Sequence, residues 1–231
     1  MPSLTWSYGV TTCEQRVKDG LLQRTLTSLA KASFHEPRLF VDGMVYGNST
    51  VPEGYQVTYR YPVIRTHANW VLSAYELYLR DPLADRYAIF QDDMVTYLNL
   101  RQYLDQSPYP DKGYLNLYTF PHNVKPRNGW YESDQMGKGG VALVFDNDAL
   151  RTLLSQRKLV ERPKCPHRGH RSVDGGIVDS MKEAGYKEYV HNPSLVQHTG
   201  MISSMDNGEH PLADTFKGEN YNALDLLGVS V

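Results

Sequence analysis

The chain has 231 residues, enough for one large domain or two small ones with a sizeable buried core. Its 24 Lys and Arg against 26 Asp and Glu leave a formal charge of −2, which excludes a global basic field for nucleic acid or anionic membrane. At 41% hydrophobic and 22% charged it is no disordered tail, and two cysteines, Cys13 and Cys165, exclude a disulfide scaffold. No basic segment followed by a long apolar run opens the chain, so a soluble, cytoplasmic protein without a membrane span is expected.

Residues 6–12 read as a strand ending in the polar pair Thr11-Thr12. From Glu14 a helical stripe follows, made of Val17, Leu21, Leu22, Leu26 and Leu29. Residues 38–41 form a second short strand that stops at Asp42-Gly43, and 47–54 are loop by composition. A helix over 66–80 turns Trp70, Val71, Ala74, Leu77 and Tyr78 inward and ends at Asp81-Pro82. Tyr87-Ala88-Ile89-Phe90 is wholly apolar, as a buried central strand should be, and runs into Gln91-Asp92-Asp93. This alternation of strands and helices predicts an α/β sheet. The rhythm then loosens, with strands at 113–118, 140–145 and 186–190 and helices at 147–156 and 174–184. Polar segments occupy 121–139 and 157–171, and the chain is irregular past Gly200.

In open α/β sheets, ligands bind beyond the carboxyl ends of the strands, where Asp42 and Asp92-Asp93 stand. Two adjacent carboxylates there are oxygen ligands suited to Mg2+ or Mn2+, with a diphosphate completing the shell. A polar turn that happens to hold two Asp is the alternative.

Seven segments carry a more specific signal by standing in one order. They are Gly9-Val10-Thr11-Thr12-Cys13-Glu14-Gln15-Arg16, Leu39-Phe40-Val41-Asp42-Gly43, Asn69-Trp70, Ala88-Ile89-Phe90-Gln91-Asp92-Asp93-Met94, Gly139-Gly140-Val141-Ala142-Leu143, Val173-Asp174-Gly175-Gly176 and Pro193-Ser194-Leu195-Val196-Gln197-His198-Thr199-Gly200. Together they resemble the GT-A class of nucleotide-sugar glycosyltransferases, over about residues 5–204. The resemblance implies a single GT-A-like domain: a Rossmann-like mixed, mostly parallel sheet flanked by helices. Residues 1–110 would form the nucleotide-sugar-binding half, 111–204 the acceptor and catalytic half, and 205–231 an irregular tail.

The implied activity is metal-dependent hexosyl transfer from a nucleotide sugar, a UDP-sugar, to an acceptor hydroxyl with inversion. Asp93 matches the direct ligand of Mn2+ (or Mg2+), His198 the late histidine that completes the shell, and Asp92 the support for ribose or a metal-bound water. Gln91 stands where the family's DXD-like motif usually begins with an acid, so its ribose contact is the departure from the pattern. Thr11, Thr12, Arg16, Asp42 and Asn69 fall at donor-binding positions, although Thr11 or Thr12 could equally cap the first helix. Asp174 resembles the general base of inverting members, with a helix N-cap as its rival reading.

Gly139-Gly140 lacks Cβ atoms and would let backbone approach the transferred sugar. Trp130 and Tyr131 are candidates for an aromatic acceptor platform. The basic run around Lys164, His167, Arg168, His170 and Arg171 reads either as a solvated loop or as a cover over the diphosphate, with Lys217 a further cation. The expected acceptor is a carbohydrate or glycoconjugate. A modified DNA base is the alternative acceptor, and a non-catalytic nucleotide- or sugar-binding module is the alternative function. A nucleotidyltransferase or dehydrogenase would need a Gly-rich loop after the first strand, which Thr11-Thr12-Cys13-Glu14 is not.

Overall fold

The computed structural model describes residues 4–43, 51–166, 169, 171–199 and 211–228. Strand β1 (Trp6–Cys13) leads into α1 (Glu14–Lys18) and α2 (Leu21–Lys31). Then come β2 (Arg38–Asp42), β3 (Val57–Arg60), α3 (Arg65–Arg80), β4 (Arg86–Gln91), β5 (Met94–Thr96) and α4 (Leu100–Gln106). β6 (Gly113–Asn116), β7 (Gly129–Glu132), β8 (Ala142–Asp146), α5 (Asn147–Leu154) and α6 (Arg157–Glu161) follow. α7 (Val173–Glu183), β9 (Lys187–Asn192) and β10 (Val196–His198) complete the series.

Eight strands form one sheet in the order β3-β2-β1-β4-β8-β6-β9-β7. β1 pairs parallel with both β2 and β4, β2 with β3, and β6 with β9, while β8 and β7 run against their neighbours. The expected mixed, mostly parallel α/β sheet is therefore present. The carboxyl ends of β1, β2, β4 and β6 share one edge, and the chain enters β8 at that same edge. Apolar side chains fill both faces: α2 and α4 cover one, and α3, α5 and α7 cover the other. Trp70, Tyr87, Phe90 and Phe145 are wholly buried among them, which explains why the apolar runs of α3 and β4 were the most legible in the sequence.

Three differences from the sequence reading have plain causes. The helix expected from Glu14 is two helices, because Gly20 adopts φ +75 and turns the chain between α1 and α2. The strand at 113–118 stops at Asn116, since Leu117 leaves the ladder to bond Ala142 and Leu195. Six short elements were not anticipated: β3, β5, α4, β7, α6 and β10. The described residues past 210 include a short 3-10 turn and are packed, with Phe216 stacked on Tyr97 at 4.8 Å between centroids. Among the described residues no helix is long and apolar enough to cross a membrane.

Candidate active site

β4 delivers Asp92 and Asp93 at its carboxyl end, and both are buried, at 6% and 3% exposure. The Thr12 hydroxyl, from the end of β1, donates to Asp92 Oδ2 at 2.5 Å. Arg16 projects from α1 so that its Nη2 lies 3.0 Å from Asp93 Oδ2. β10 pairs antiparallel with β5, placing His198 opposite Met94, and Thr199 N–H donates to the Asp93 carbonyl at 2.7 Å. His198 Nε2 thereby stands 3.5 Å from Asp93 Oδ2. Two residues 105 positions apart are thus brought together by a three-residue ladder.

Burial pushes the Asp92 carboxyl up to about 7, with the charge of Asp93 adding to it and the Thr12 bond and Arg16 opposing. Asp93 Oδ1 is buried and has no hydrogen-bond partner among the described residues. A buried carboxylate oxygen in that state is costly unless a cation takes it up. Carboxylate oxygen beside imidazole nitrogen is a donor set that suits Mn2+ or Mg2+, so these residues fit the implied metal. Among the described residues no group of three or more His, Cys, Asp or Glu is gathered for a metal.

The other residues expected at donor-binding positions make bonds within the fold. Thr11 donates to the Phe90 carbonyl at 3.3 Å, bracing β1 against β4. Asn69, buried on α3, donates to the carbonyls of Phe40 (3.0 Å) and Thr12 (3.5 Å) and so stitches the ends of β1 and β2 together. Both oxygens of Asp42 accept backbone amides, those of Ile64 and Arg65, each at 2.8 Å. Asp42 therefore anchors the start of α3. Neither Thr11 nor Thr12 caps α1: Cys13 stands at the N-cap, with no side-chain bond there. Gln91 Nε2 donates to the Gly140 carbonyl at 3.2 Å, tying the acidic motif to the glycine pair.

Asp174 lies in the first turn of α7, whose N-cap is Ser172, its hydroxyl accepting from Gly175 N–H at 3.3 Å. The cap role thus belongs to Ser172 and leaves the Asp174 carboxyl to other partners. A Cβ built on Gly140 would stand 2.6 Å from Asp174 Oδ1, so only glycine allows the two to meet this closely. The acidic motif, the glycine pair and Asp174 are thereby linked through Gln91 and Gly140.

The acceptor-side expectations fare unevenly. Trp130 and Tyr131 lie on β7, the far edge strand, not in a loop. Tyr131 is only 3% exposed and its hydroxyl donates to the Asn123 carbonyl, which makes it a core residue and not a platform. Trp130 packs edge-on against His191 at 4.9 Å. Arg171 is exposed, while Arg168, His167 and His170 lie outside the described residues. Lys217 is held by Tyr97 and Tyr221 beside the packed tail. Sequence reasoning missed Glu188, a buried carboxyl on β9 that carries no motif; a lone Glu in a short strand reads as a solvent-facing position.

No protein-family model matches the chain, and no curated protein matches it in sequence. The solved structure of GalNAc-T7 with UDP, GalNAc and Mn2+ superposes on 95% of this chain and 46% of its own, with a TM-score of 0.59 at 12% identity. The chain thus spans about half the length of that protein. A nucleotidyl transferase from Methanothermobacter aligns with a TM-score of 0.48 at 14% identity, covering 81% of this chain and 86% of its own. A glycosyltransferase involved in the glycosylation of the major capsid of PBCV-1 gives 0.45 at 12% identity, over 86% of this chain and 96% of its own. At such identities the likeness is one of fold. The chain has a mixed α/β, GT-A-like fold.

Proposed function

We propose that this protein is a metal-dependent glycosyltransferase that moves a sugar from a nucleotide-sugar donor, a UDP-sugar, to an acceptor hydroxyl with inversion. The observation that carries the reading is Asp93: buried, with one oxygen unpartnered and the other facing Arg16 and His198, at the carboxyl edge of the sheet. Asp93 and His198 would hold the cation, with donor and water supplying its remaining ligands. The chemistry supplied by bound Mn2+ is neutralisation of charge on the departing diphosphate, a contribution of several kcal/mol.

The chain's own residues do the rest. Thr12 orients Asp92, and Arg16 brings a second positive charge to the edge where the diphosphate leaves. Gln91, whose Nε2 holds the Gly140 carbonyl, would offer its Oε1 to a ribose hydroxyl. Asp174 accepts the acceptor's hydroxyl proton as the oxygen bonds to the sugar's anomeric carbon and the bond to the diphosphate breaks, with general-base assistance of about 10²–10⁴-fold. A carbohydrate or glycoconjugate is the acceptor class proposed.

The test is turnover of UDP-glucose, UDP-galactose, UDP-N-acetylglucosamine and UDP-N-acetylgalactosamine with Mn2+, with and without EDTA. Turnover abolished by EDTA and by Asp93→Ala is expected. Turnover that ignores both overturns the metal reading, and absence of turnover with UDP bound leaves a binding module.

A further inference from the structure

Glu188 belongs to none of the seven segments, and the transfer chemistry above does not use it. Yet it is only 3% exposed, on a strand in the middle of the acceptor half. Its Oε1 accepts from the Tyr114 hydroxyl at 3.3 Å and from Asn116 Nδ2 at 3.2 Å, both on β6. Its Oε2 is buried with no hydrogen-bond partner among the described residues. The Ser133 hydroxyl also lies against the carboxyl and favours its ionised form. The Asp174 carboxyl lies within Coulombic range from α7.

The bonds around it run in one direction. Asn116 is wholly buried and its amide is fully used: Nδ2 donates to Glu188 Oε1 and to the Lys138 carbonyl, each at 3.2 Å, and Oδ1 accepts from Tyr118 N–H at 3.1 Å. The backbone of Glu188 holds the other end of the same segment. Its N–H donates to Gln135 Oε1 at 3.0 Å, and its carbonyl accepts from Gln135 Nε2 at 2.8 Å and from Ser133 N–H at 3.0 Å. One residue therefore pins the segment from Ser133 to Lys138 at both ends. Two residues further on, Gly140 meets Asp174 Oδ1.

We propose that Glu188 is a positioning residue for the transfer reaction: through Asn116 and Gln135 it fixes the segment 133–140, and with it the place of Gly140 against the Asp174 carboxyl. The proposal rests on the reading of Asp174 as the base. Burial of the carboxyl is what favours the neutral acid. An ionised carboxylate in that place would be a stranded buried charge beside Asp174, whereas the protonated form needs no counter-cation. Burial, with the Asp174 charge adding to it, pushes Glu188 up to about 7, while Ser133, Asn116 and Tyr114 pull the other way. Above that pH the anchor gains a charge that its surroundings do not accommodate, and the segment loosens.

Three variants test this: Glu188→Gln, Glu188→Ala and Asp174→Asn. Amide exchange over residues 135–141, the infrared carbonyl band of a protonated carboxyl, and the pH profile of kcat for hydrolysis of the UDP-sugars above are the readouts. Wild type is expected to show carboxyl intensity that fades as pH rises through about 7; the part due to Glu188 is missing in Glu188→Gln, while the part due to Asp92 remains. Its kcat falls above that pH by up to about tenfold per unit, and Glu188→Gln, which keeps both acceptor bonds without a titratable group, loses this fall. Glu188→Ala raises exchange across 135–141 and lowers kcat about tenfold with KM for donor little changed. Asp174→Asn removes the neighbouring charge, so the Glu188 band fades at lower pH while exchange stays at the wild-type level.

Wild-type exchange in Glu188→Ala, or a carboxyl band unaltered in Glu188→Gln, overturns the proposal. So does a Glu188→Gln profile that keeps the alkaline fall. Turnover retained by Asp174→Asn overturns the base reading instead, and the exchange and infrared results then judge the anchor on their own.

Discussion

Replacing Arg16 with Met removes one charge from a buried pair and leaves most of the stem's packing in place. The guanidinium and the Asp93 carboxylate are 3.0 Å apart, with side chains 8% and 5% exposed. At an effective dielectric of about 20, a gap of 3.0 Å corresponds to roughly 5.5 kcal/mol of attraction, most of it offset by desolvation of the two ions. The measurable loss is different: Asp93 is left buried and uncompensated next to Asp92, which costs about 3–5 kcal/mol. Arg16 also holds Asp92 down, so the variant pushes Asp92 further up. Urea unfolding in EDTA, followed by fluorescence of the three tryptophans, measures the loss directly. Mn2+ then restores the missing positive charge. At 100 times its dissociation constant for wild type it would stabilise wild type by about 2.7 kcal/mol, and the same concentration is expected to stabilise Arg16→Met more, because in wild type Arg16 already shares Asp93. A loss below about 1 kcal/mol in EDTA, or an equal gain from Mn2+ in both proteins, would refute the reasoning.

Gly140→Ala places a methyl 2.6 Å from Asp174 Oδ1. It is expected to lower kcat by about 10²-fold through displacement of the carboxyl, for about 1–3 kcal/mol of stability, as steady-state kinetics and unfolding will show. Asp42→Ala removes the acceptor for two backbone amides at the start of α3. A loss of about 1–2 kcal/mol with UDP affinity nearly unchanged by calorimetry is expected, and a collapse of affinity without loss of stability would return Asp42 to the donor contacts. Glu188 has a folded value near 7 against 4.5 for the free group, so the folded state holds a proton that the unfolded chain has released. Its contribution to stability is complete below pH 4.5 and is lost as pH rises through 7, at about 1.4 kcal/mol per unit and on the order of 3 kcal/mol in all. The stability of Glu188→Gln relative to wild type should therefore grow across that window, and a flat difference would contradict the assignment.

The parts of the fold that sequence revealed are those where burial leaves a periodic trace. Tyr87–Phe90 and the stripe on α3 are continuous with the core and were readable to within a residue or two. β5, β7 and β10 have three or four residues each, too few to show alternation, and α4 offers about two turns around Leu100, Tyr103 and Leu104. Missing β7 made Tyr131 look like a loop aromatic, although it sits in the core. At the site, the order of motifs singled out Asp93, His198 and Asp174, but distances are a property of topology. The Asp42 bonds to the start of α3 depend on where β2 ends relative to that helix, and the burial of Glu188 depends on α7 lying over β9. Neither is written in local spacing.

The ladder of β5 with β10 has a consequence for how the protein comes into being. Asp92, Asp93, Thr12 and Arg16 all belong to the first hundred residues, whereas His198 reaches them only when Val196–His198 pairs with Met94–Thr96. During vectorial synthesis the amino-terminal strands can associate long before that pairing exists, because contacts of high sequence separation form late. A nascent chain would thus carry an acidic edge with Arg16 as its internal counter-ion, and the histidine would arrive last. Refolding followed by stopped-flow Mn2+ uptake should show metal capture lagging behind collapse of the sheet, with His198→Ala abolishing the slow phase alone.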